Sequence, residues 1–288
     1  MRFAHLTGVS GTDPQLCALM SDNTAVVVSN LFSGAPSTLN ELIAGGDDLL
    51  ARVRDASAAA PVVPLADLGF GPSVPAPPAI LAVGLNYAAH SSELGLKTDS
   101  APTVFTLWPN SLTGHEQTTV WPRALSESVD YEAELGVIIG RPALNVTADE
   151  ALDYVWGYTV VNDITARDIQ FSEAQWCRCK SFDGFTPTGP VVVTRDEIAN
   201  PQDLHIWAVV DGHTVQDAST DQMVRSVATL IAHLSQSVTL QPGTLISTGS
   251  PGGAGYSRDP QIFLRDRSTV TVGIDGIGEL TTHCRITD

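Results

Sequence analysis

The feature that most constrains the fold is a strand-like stretch at residues 131–140, which reads Tyr-Glu-Ala-Glu-Leu-Gly-Val-Ile-Ile-Gly. Polar and apolar side chains alternate over its first part, and this period of two is typical of a half-buried β-strand. Glu132 and Glu134 therefore point the same way, with side chains roughly 6.5–7 Å apart. Two carboxylates at that spacing can close on one cation. The alternative is that both simply face water, because exposed strand faces are commonly polar.

A third carboxylate follows in the next apolar segment. Val160 and Val161 are succeeded by the polar run that Asp163 leads. An apolar strand that ends at this point leaves the Asp163 side chain at the strand's end. The sequence therefore offers Glu132, Glu134 and Asp163 as three candidate metal ligands.

The length and the proline distribution predict two domains. A chain of 288 residues can form one large domain or a small one beside a larger one. Residues 71–78 are rich in proline, which continues neither a helix nor a central strand. We therefore predict a small N-terminal domain over residues 1–72 and a larger domain over residues 73–288.

Local signals predict several elements. Thr38 with Glu41 forms a capping box that predicts a helix start, and Thr147 with Glu150 predicts a second helix running through Tyr154. Further predictions are hairpin turns at Asp211-Gly212 and Asp275-Gly276, and an amphipathic helix whose apolar stripe runs from Met223 to Leu234.

Charge and cysteine content limit the functions that the chain can have. The 15 Lys and Arg against 32 Asp and Glu give a formal net charge of -17, which phosphate backbones and anionic membranes repel. We expect no nucleic-acid partner and no membrane partner. Because the sequence has neither a membrane-length apolar run nor a secretory signal, we expect a cytoplasmic protein. The four cysteines are expected to be reduced thiols, although Cys177 and Cys179 leave a zinc or redox role as the alternative.

Other polar residues are candidates for catalysis. His90 and Glu93 lie three apart in a short helix-like segment and so share one face, where Glu93 could orient the imidazole as a general base. The alternative is an incidental surface pair. Lys180 heads a loop punctuated by glycine and proline, and the alternative there is a solvated charge. The glycine-rich residues 248–255 suggest either anion contacts through backbone N–H groups or a tight turn.

The order of these motifs identifies a family. The motifs are Asn86-Tyr87-x-x-His90-x-x-Glu93, Tyr131-Glu132-x-Glu134-Leu135, Asn162-Asp163-x-x-Ala166-Arg167-Asp168-x-Gln170, Lys180-Ser181-Phe182-Asp183, a hairpin, the run from Pro242 to Pro251, and a closing Gly276-Ile277-Gly278. Together they resemble the fumarylacetoacetate hydrolase family over roughly residues 75–288.

The resemblance implies an α+β fold that is mainly β, in which a mixed β-sandwich roll forms the catalytic domain beside a small N-terminal domain. It also implies a homodimer. The implied cofactor is Mg²⁺ or Mn²⁺ bound by Glu132, Glu134 and Asp163, which agrees with the preference of hard divalent ions for oxygen ligands. The implied catalytic residues are His90 and Glu93 on a lid helix, and Lys180. The residues implied in substrate binding are Asn86, Tyr87, Arg167, Gln170, Thr248, Gly249 and Ser250.

One position departs from the family pattern. Many relatives carry a lysine in a Phe-x-Lys-Pro motif, whereas this chain reads Phe105-Thr106-Leu107-Trp108-Pro109. Leu107 stands in place of that lysine, so a substrate cannot be carried over directly from better-known members. Trp108 could add an apolar wall to the pocket, and the alternative is that the position is structural.

The expected reaction is metal-dependent hydrolysis of a C–C bond in a 2-oxo acid with a second carbonyl group, such as an acylpyruvate or a fumarylpyruvate-like compound. It would pass through a stabilised enolate, with water activated by His90 and Glu93. Oxaloacetate-type decarboxylation and hydroxymuconate-type isomerisation on the same metal site are alternatives. A non-catalytic protein that binds a 2-oxo acid is a further one.

Overall fold

A computed structural model describes residues 1–9, 13–93 and 101–288, with the exception of the His90 side chain. Strands dominate the fold, and the predicted α+β, mainly β class is confirmed. The strands are β1 Arg2–Thr7, β2 Gln15–Ser21, β3 Thr24–Val27, β4 Val63–Pro64, β5 Gly69–Phe70, β6 Ile80–Gly84, β7 Thr103–Thr106, β8 Leu112–Thr113, β9 Gln117–Pro122, β10 Val129–Asp130, β11 Ala133–Ile139, β12 Val155–Asn162, β13 Thr165–Ala166, β14 Thr186–Thr194, β15 His205–Val210, β16 His213–Ser219, β17 Leu245–Ser247, β18 Thr269–Ile274 and β19 Gly278–Thr287.

The helices are few and short. The α-helices are α1 Leu39–Ala44, α2 Gly46–Ser57, α3 Ala88–Glu93, α4 Arg167–Ser172 and α5 Val227–Ser235. Single turns of 3-10 helix span Val28–Asn30, Pro109–Ser111, Ala151–Tyr154, Arg195–Glu197, Thr220–Gln222 and Gly255–Ser257. None of the helices in the described part of the chain is long and apolar enough to cross a membrane.

Two mixed sheets carry the fold. The larger has the order β4-β3-β2-β1-β14-β12-β11-β17-β6-β7, with β5 paired to β1 and β8 paired to β14. The smaller has the order β16-β15-β18-β19-β9. Most neighbours are antiparallel, but β17 with β6, β14 with β8 and β19 with β9 are parallel. A hydrophobic cluster that contains residues of both sheets, among them Val160 and Val272, forms the main core.

The strand that carries Glu134 is buried on both faces. All seven residues of β11 are buried, so the prediction of a half-buried strand is wrong. Leu135 and Val137 belong to the main core, whereas Ile138 belongs to a second cluster beneath the N-terminal helices. Because both faces of the sheet are covered here, the polar positions of the alternation lie in the interior and not in water.

The first 72 residues extend the larger sheet. Strand β1 pairs antiparallel with β14, with Phe3 opposite Val192. Helix α1 begins at the predicted capping box and packs Leu42 and Ile43 into the second cluster beside Phe3. The domain boundary at residue 72 stays a prediction, and strands on either side of it share one sheet.

The other local predictions gave mixed results. The two hairpins form where predicted, at β15–β16 and β18–β19. The segment after Thr147 is wrong as an α-helix, because Ala151–Tyr154 forms a 3-10 turn. Helix α5 begins only at Val227, where the Ser226 hydroxyl accepts from the Thr229 N–H, so Met223 and Val224 lie before it. The four cysteines are free thiols, as predicted.

Candidate active site

Three buried carboxylates meet where β11 and β12 lie side by side. Glu134 lies within β11, Glu132 immediately before it, and Asp163 immediately after β12. The two strands are antiparallel with Ala133 opposite Asn162, and the Asp163 N–H donates to the Glu132 carbonyl at 2.9 Å. Ligand oxygens from the three side chains lie within 4.8 Å of one another, and each residue is at most 4 % exposed. Sequence reasoning selected this trio.

Glu134 is held through one oxygen. Its Oε2 accepts from the Ser247 hydroxyl at 2.5 Å and from the Gly249 N–H at 3.0 Å. Strand β17 supplies Ser247 because it pairs antiparallel with β11, which places Gly136 opposite Ser247. The backbone N–H of the glycine-rich segment therefore does contact an anion, and that anion is a side chain of the protein itself.

Lys180 lies among these carboxylates. Its Nζ donates to Glu132 Oε2 at 2.7 Å, to Asp163 Oδ2 at 2.5 Å and to the Thr165 hydroxyl at 2.8 Å. An ammonium group has three N–H donors, and all three are used. Burial alone would lower the pKa of Lys180, but the neighbouring carboxylates of Asp163 and Glu132 outweigh it and raise the pKa. Lys180 is therefore a buried cation.

Arg167 is the second buried cation and is fully enclosed. Its Nε donates to Asp130 Oδ1 at 2.7 Å, its Nη2 to Glu132 Oε1 at 2.7 Å and its Nη1 to Gln170 Oε1 at 2.9 Å. In this arrangement it binds groups of the protein and orients Glu132 and Gln170.

The site carries more negative than positive charge. Four buried carboxylates, those of Asp130 and the trio, face the two cations Lys180 and Arg167. Burial raises the pKa of Glu134, and the nearby Asp163 and Glu132 raise it further. Burial also raises the pKa of Asp163 despite the adjacent Lys180. With all four carboxylates ionised, the site has two negative charges in excess, which equals the charge of one divalent cation. Without such an ion, the raised pKa of Glu134 favours its protonated form.

The donor set fits such a cation. Asp163 Oδ1 is buried and has no hydrogen-bond partner among the residues that the structure describes, which leaves a carboxylate oxygen ready for a ligand bond. An all-carboxylate set suits Mg²⁺ or Mn²⁺ better than zinc, which favours nitrogen and sulfur ligands. The residues that could hold the ion are Glu132, Glu134 and Asp163.

A small cavity opens onto this trio. Its volume is about 10 Å³, and its lining includes Gln170, Lys180 and Ser250 on the polar side and Phe105 and Trp176 on the apolar side. That volume holds about one water molecule, so a bordering group must move to admit a substrate.

A larger cavity of about 700 Å³ lies elsewhere, between α2 and the ends of β12 and β14. Four of its charged side chains form ion pairs, Arg54 with Asp196 at 2.7 Å and Arg195 with Asp47 at 3.7 Å, and Arg141 lies over the Tyr154 ring. The unbalanced carboxylates make the small cavity the candidate active site.

The remaining residues expected to bind substrate surround the trio in different ways. The Asn86 amide bonds the backbone of Arg225 and Thr248, and the Thr248 hydroxyl donates to the Leu135 carbonyl at 2.9 Å. Tyr87 is buried with an unpartnered hydroxyl. Ser250 lines the cavity and accepts from Gln216 Nε2 at 2.8 Å. The structure thus places Ser250 and Gln170 at the cavity, and gives Asn86 and Thr248 bonds to backbone.

The expected His90–Glu93 pair falls partly outside the described residues. His90 lies in α3, and its side chain is outside the described part of the chain. Both carboxylate oxygens of Glu93 accept from the Gly253 N–H, at 3.0 and 3.1 Å. Glu93 therefore joins α3 to the glycine-rich segment.

The departure at Leu107 is structural. Leu107 is buried in the second cluster, and Trp108 is 46 % exposed. The apolar wall that was expected from Trp108 is formed by Phe105 and Trp176, and no spacing in the sequence indicates Trp176. Asp130 was also missed, although it continues the alternation of Glu132 and Glu134 by one step.

Comparison with known proteins identifies relatives along most of the chain. The family described as "Fumarylacetoacetate (FAA) hydrolase C-terminal" matches residues 79–285. A protein of Burkholderia ambifaria named "Putative hydrolase" is 46% identical over 201 residues, which cover 69% of this chain and 71% of that protein.

Solved structures agree over the full length. Fumarylacetoacetate hydrolase from Exiguobacterium antarcticum has a TM-score of 0.87 at 30% identity, and each chain is covered completely. 2-Hydroxyhepta-2,4-diene-1,7-dioate isomerase from Mycobacterium marinum has a TM-score of 0.77 at 29% identity and covers 100% of this chain and 99% of that one. Maleylpyruvate hydrolase from Sphingobium sp. SYK-6, solved with manganese(II) and pyruvate, has a TM-score of 0.84 at 26% identity with complete coverage of both.

Proposed function

The chain belongs to the fumarylacetoacetate hydrolase family, and on that premise we propose that it hydrolyses a C–C bond in a 2,4-dioxo acid of the acylpyruvate type. The observation that carries this proposal is the buried trio of Glu132, Glu134 and Asp163. Within the described part of the chain, one Asp163 oxygen has no hydrogen-bond partner, and Lys180 and Gln170 line the same cavity. Members of the family are enzymes that act on small molecules.

The trio would hold Mg²⁺ or Mn²⁺. When bound, such an ion supplies Lewis-acid stabilisation of a developing enolate. Four buried carboxylates against two buried cations support the choice of a divalent cation, which would offset the raised pKa values of Glu134 and Asp163. The manganese in the maleylpyruvate hydrolase structure supports it as well.

Gln170 is the donor that the site offers to a substrate oxygen. Because a guanidinium can only donate, the bond from Arg167 Nη1 fixes Oε1 as the acceptor end of the amide. The Nε2 hydrogens are then the end left for the cavity, where they can stabilise a developing oxyanion. Lys180 can join them only by exchanging one of its three present hydrogen bonds.

His90 is proposed as the general base, with Glu93 as the residue that orients it. His90 would take a proton from water while the hydroxyl oxygen bonds to the distal carbonyl carbon. The bond between that carbon and the adjacent methylene breaks, and its electron pair passes to the enolate of pyruvate. Protonation of the methylene carbon then gives pyruvate and a carboxylic acid.

Isomerisation is the second candidate. The similarity to the Mycobacterium marinum isomerase at 29% identity favours it, because an enolate protonated without attack by water gives an isomer in place of two products. The same residues would serve both reactions, and the difference lies in whether water reaches the distal carbonyl.

The test is a metal-dependent ultraviolet assay of enol loss on acylpyruvates, with a hydroxymuconate-type diacid and oxaloacetate alongside, followed by identification of the products. We expect pyruvate and a carboxylic acid, no turnover after metal is stripped, and recovery with Mg²⁺ or Mn²⁺. Isomerisation without cleavage, or release of CO₂, would replace the proposed reaction. Tight binding without any turnover would indicate a binding protein.

The expected homodimer and cytoplasmic location stay proposals. Gel filtration with light scattering tests the first, and a mass of one chain, 30.4 kDa, would contradict it.

A further inference from the structure

Part of the cavity lining is apolar and lies close to the charged groups. Phe105 and Trp176 lie in edge contact, with ring centroids 5.5 Å apart and an interplanar angle of 71°. Val83 lines the same side. Lys180 Nζ lies 5.4 Å from the Phe105 ring centroid, so the wall begins next to the charged end of the site.

The backbone beneath Trp176 fixes how closely its ring can approach. A Cβ added to Gly84 would overlap Trp176 Cζ3 and lie in tight contact with Cε3. Only glycine therefore lets the indole lie directly on β6. Trp176 itself is half-buried on a bend between α4 and Lys180, and so it borders both the cavity and the surface.

We propose that Trp176, supported by Phe105 and Gly84, is a specificity-determining residue that selects substrates whose distal group is uncharged and apolar. The proposal rests on the proposed function and names its substrate class: alkyl or aryl acylpyruvates in preference to dicarboxylates. We expect the substrate to bind its 2-oxo-carboxylate at the three metal-binding carboxylates and Gln170. Its distal group then reaches Phe105 and Trp176, because the Phe105 ring centroid lies only 5.4 Å from Lys180 Nζ.

The physical reason is desolvation. A second carboxylate against Phe105 and Trp176 would lose its water without gaining hydrogen bonds from those rings. An alkyl or aryl group gains from the same contacts, because each buried methylene contributes about 0.8 kcal/mol.

The test compares substrates of equal chain length. Straight-chain acylpyruvates are assayed against the same chains ending in a carboxylate, with wild type, Trp176→Ala, Trp176→Phe and the matched control Trp108→Ala. We expect kcat/KM to favour the alkyl chains about tenfold or more in the wild type and in Trp108→Ala. In Trp176→Ala that preference should fall to within about threefold, and Trp176→Phe should retain part of it.

Gly84→Ala is the second variant, because it displaces the indole without removing it. We expect Gly84→Ala to reduce the preference for alkyl chains over carboxylate-ended chains, as Trp176→Ala does. A wild type that prefers carboxylate-ended chains would overturn the proposal, and so would equal losses on every substrate in Trp176→Ala.

Calorimetric titration with N-alkyl oxamates in the presence of Mg²⁺ tests the role of Trp176 in binding independently of the proposed hydrolysis. These probes carry an oxo-carboxylate and cannot be cleaved. We expect affinity to rise about fourfold per added methylene in the wild type and to stay flat in Trp176→Ala. This result would stand even if no acylpyruvate were turned over, in which case only the proposed reaction would fail. A flat series in the wild type would overturn the role of Trp176.

Discussion

Asp163 has two oxygens in different surroundings. Oδ2 accepts from Lys180 at 2.5 Å, whereas Oδ1 is buried without a partner. A buried carboxylate oxygen without a hydrogen bond is costly unless a ligand completes it. Asp163 is therefore the residue at which a bound cation should make the largest difference.

Asp163→Asn should weaken the binding of Mg²⁺ or Mn²⁺ by at least about 100-fold, because even residues that only support a ligand typically change affinity 10–100-fold. The substitution keeps the size of the side chain and removes one negative charge. Calorimetric titration of the metal-stripped protein measures the effect, with the exposed Asp149→Asn as control. Equal affinities in Asp163→Asn and wild type would remove Asp163 from the metal site.

Sequence reasoning found the three carboxylates and, through the family resemblance, named Lys180 and Arg167 as site residues, but it did not predict that these cations pair with the carboxylates. The alternation around Glu132 and Glu134 fixes which face the side chains share. The alternation does not predict that Arg167 and Lys180 contact these carboxylates, because the two cations lie 35 and 48 residues from Glu132 in the sequence. Such long-range pairing depends on the sheet order, which local patterns leave open.

Among the elements, several short-range signals succeeded, although the Thr147–Glu150 box precedes a 3-10 turn and not the predicted α-helix. The hairpin turns and the Thr38 capping box are examples, because each involves residues within four positions. The burial of both faces of β11 could not be predicted from such local signals. It depends on α1 and α2 covering one face and the smaller sheet covering the other.

The glycine-rich segment after β17 joins several parts of the site. Gly249 has φ +97 and donates its N–H to Glu134, and a Cβ there would lie 2.7 Å from Asn86 Cβ and 2.8 Å from the Val83 carbonyl oxygen. The sequence suggested an anion contact or a turn, and the backbone N–H groups serve carboxylates of the chain itself.

Gly249→Ala should destabilise the protein and also weaken metal binding. Left-handed backbone costs a non-glycine residue about 1–2 kcal/mol, and the two close contacts add to that. The shift of the N–H should lower metal affinity about tenfold or more. Denaturant melts and metal titration measure the two effects.

Gly212→Ala is the matched control for that prediction. Gly212 has φ +83 in the β15–β16 turn, with no heavy atom within 4 Å of an added Cβ. It should show the backbone cost alone and normal metal affinity. Equal metal affinities in both variants would mean that the Gly249 position does not support Glu134.

At the scale of the whole molecule, the N-terminal unit and the larger unit are joined by backbone pairing and by polar contacts. The N-terminal ammonium donates to Thr194 Oγ1 at 2.6 Å and to Glu197 Oε1 at 2.8 Å. His5 of β1 bonds the Ser73 carbonyl at 3.2 Å. We expect one cooperative unfolding transition, because strands from both sides of residue 72 share a sheet and a core.

His5 makes this joint sensitive to acid. The Ser73 carbonyl can only accept, so the neutral ring carries its proton on Nδ1. Nε2 is buried and has no partner among residues 1–9, 13–93 and 101–288. A second proton would place a charge on Nε2 with no acceptor. Burial accordingly lowers the pKa of His5 from 6.5 to about 4, although the bond to Ser73 opposes the shift.

The folded state therefore binds fewer protons at His5 than the unfolded state between pH 6.5 and 4. The contribution of His5 to the free energy of unfolding is therefore fully present above pH 6.5. It falls as the pH drops, by about 3 kcal/mol at pH 4. The buried carboxylates add their own pH dependence, so His5→Gln is compared with wild type by denaturant unfolding from pH 7.5 to 4. We expect the variant to lose less stability on acidification by about that amount, while the exposed His213→Gln follows wild type. Parallel curves for His5→Gln and wild type would show that acid does not act at this joint.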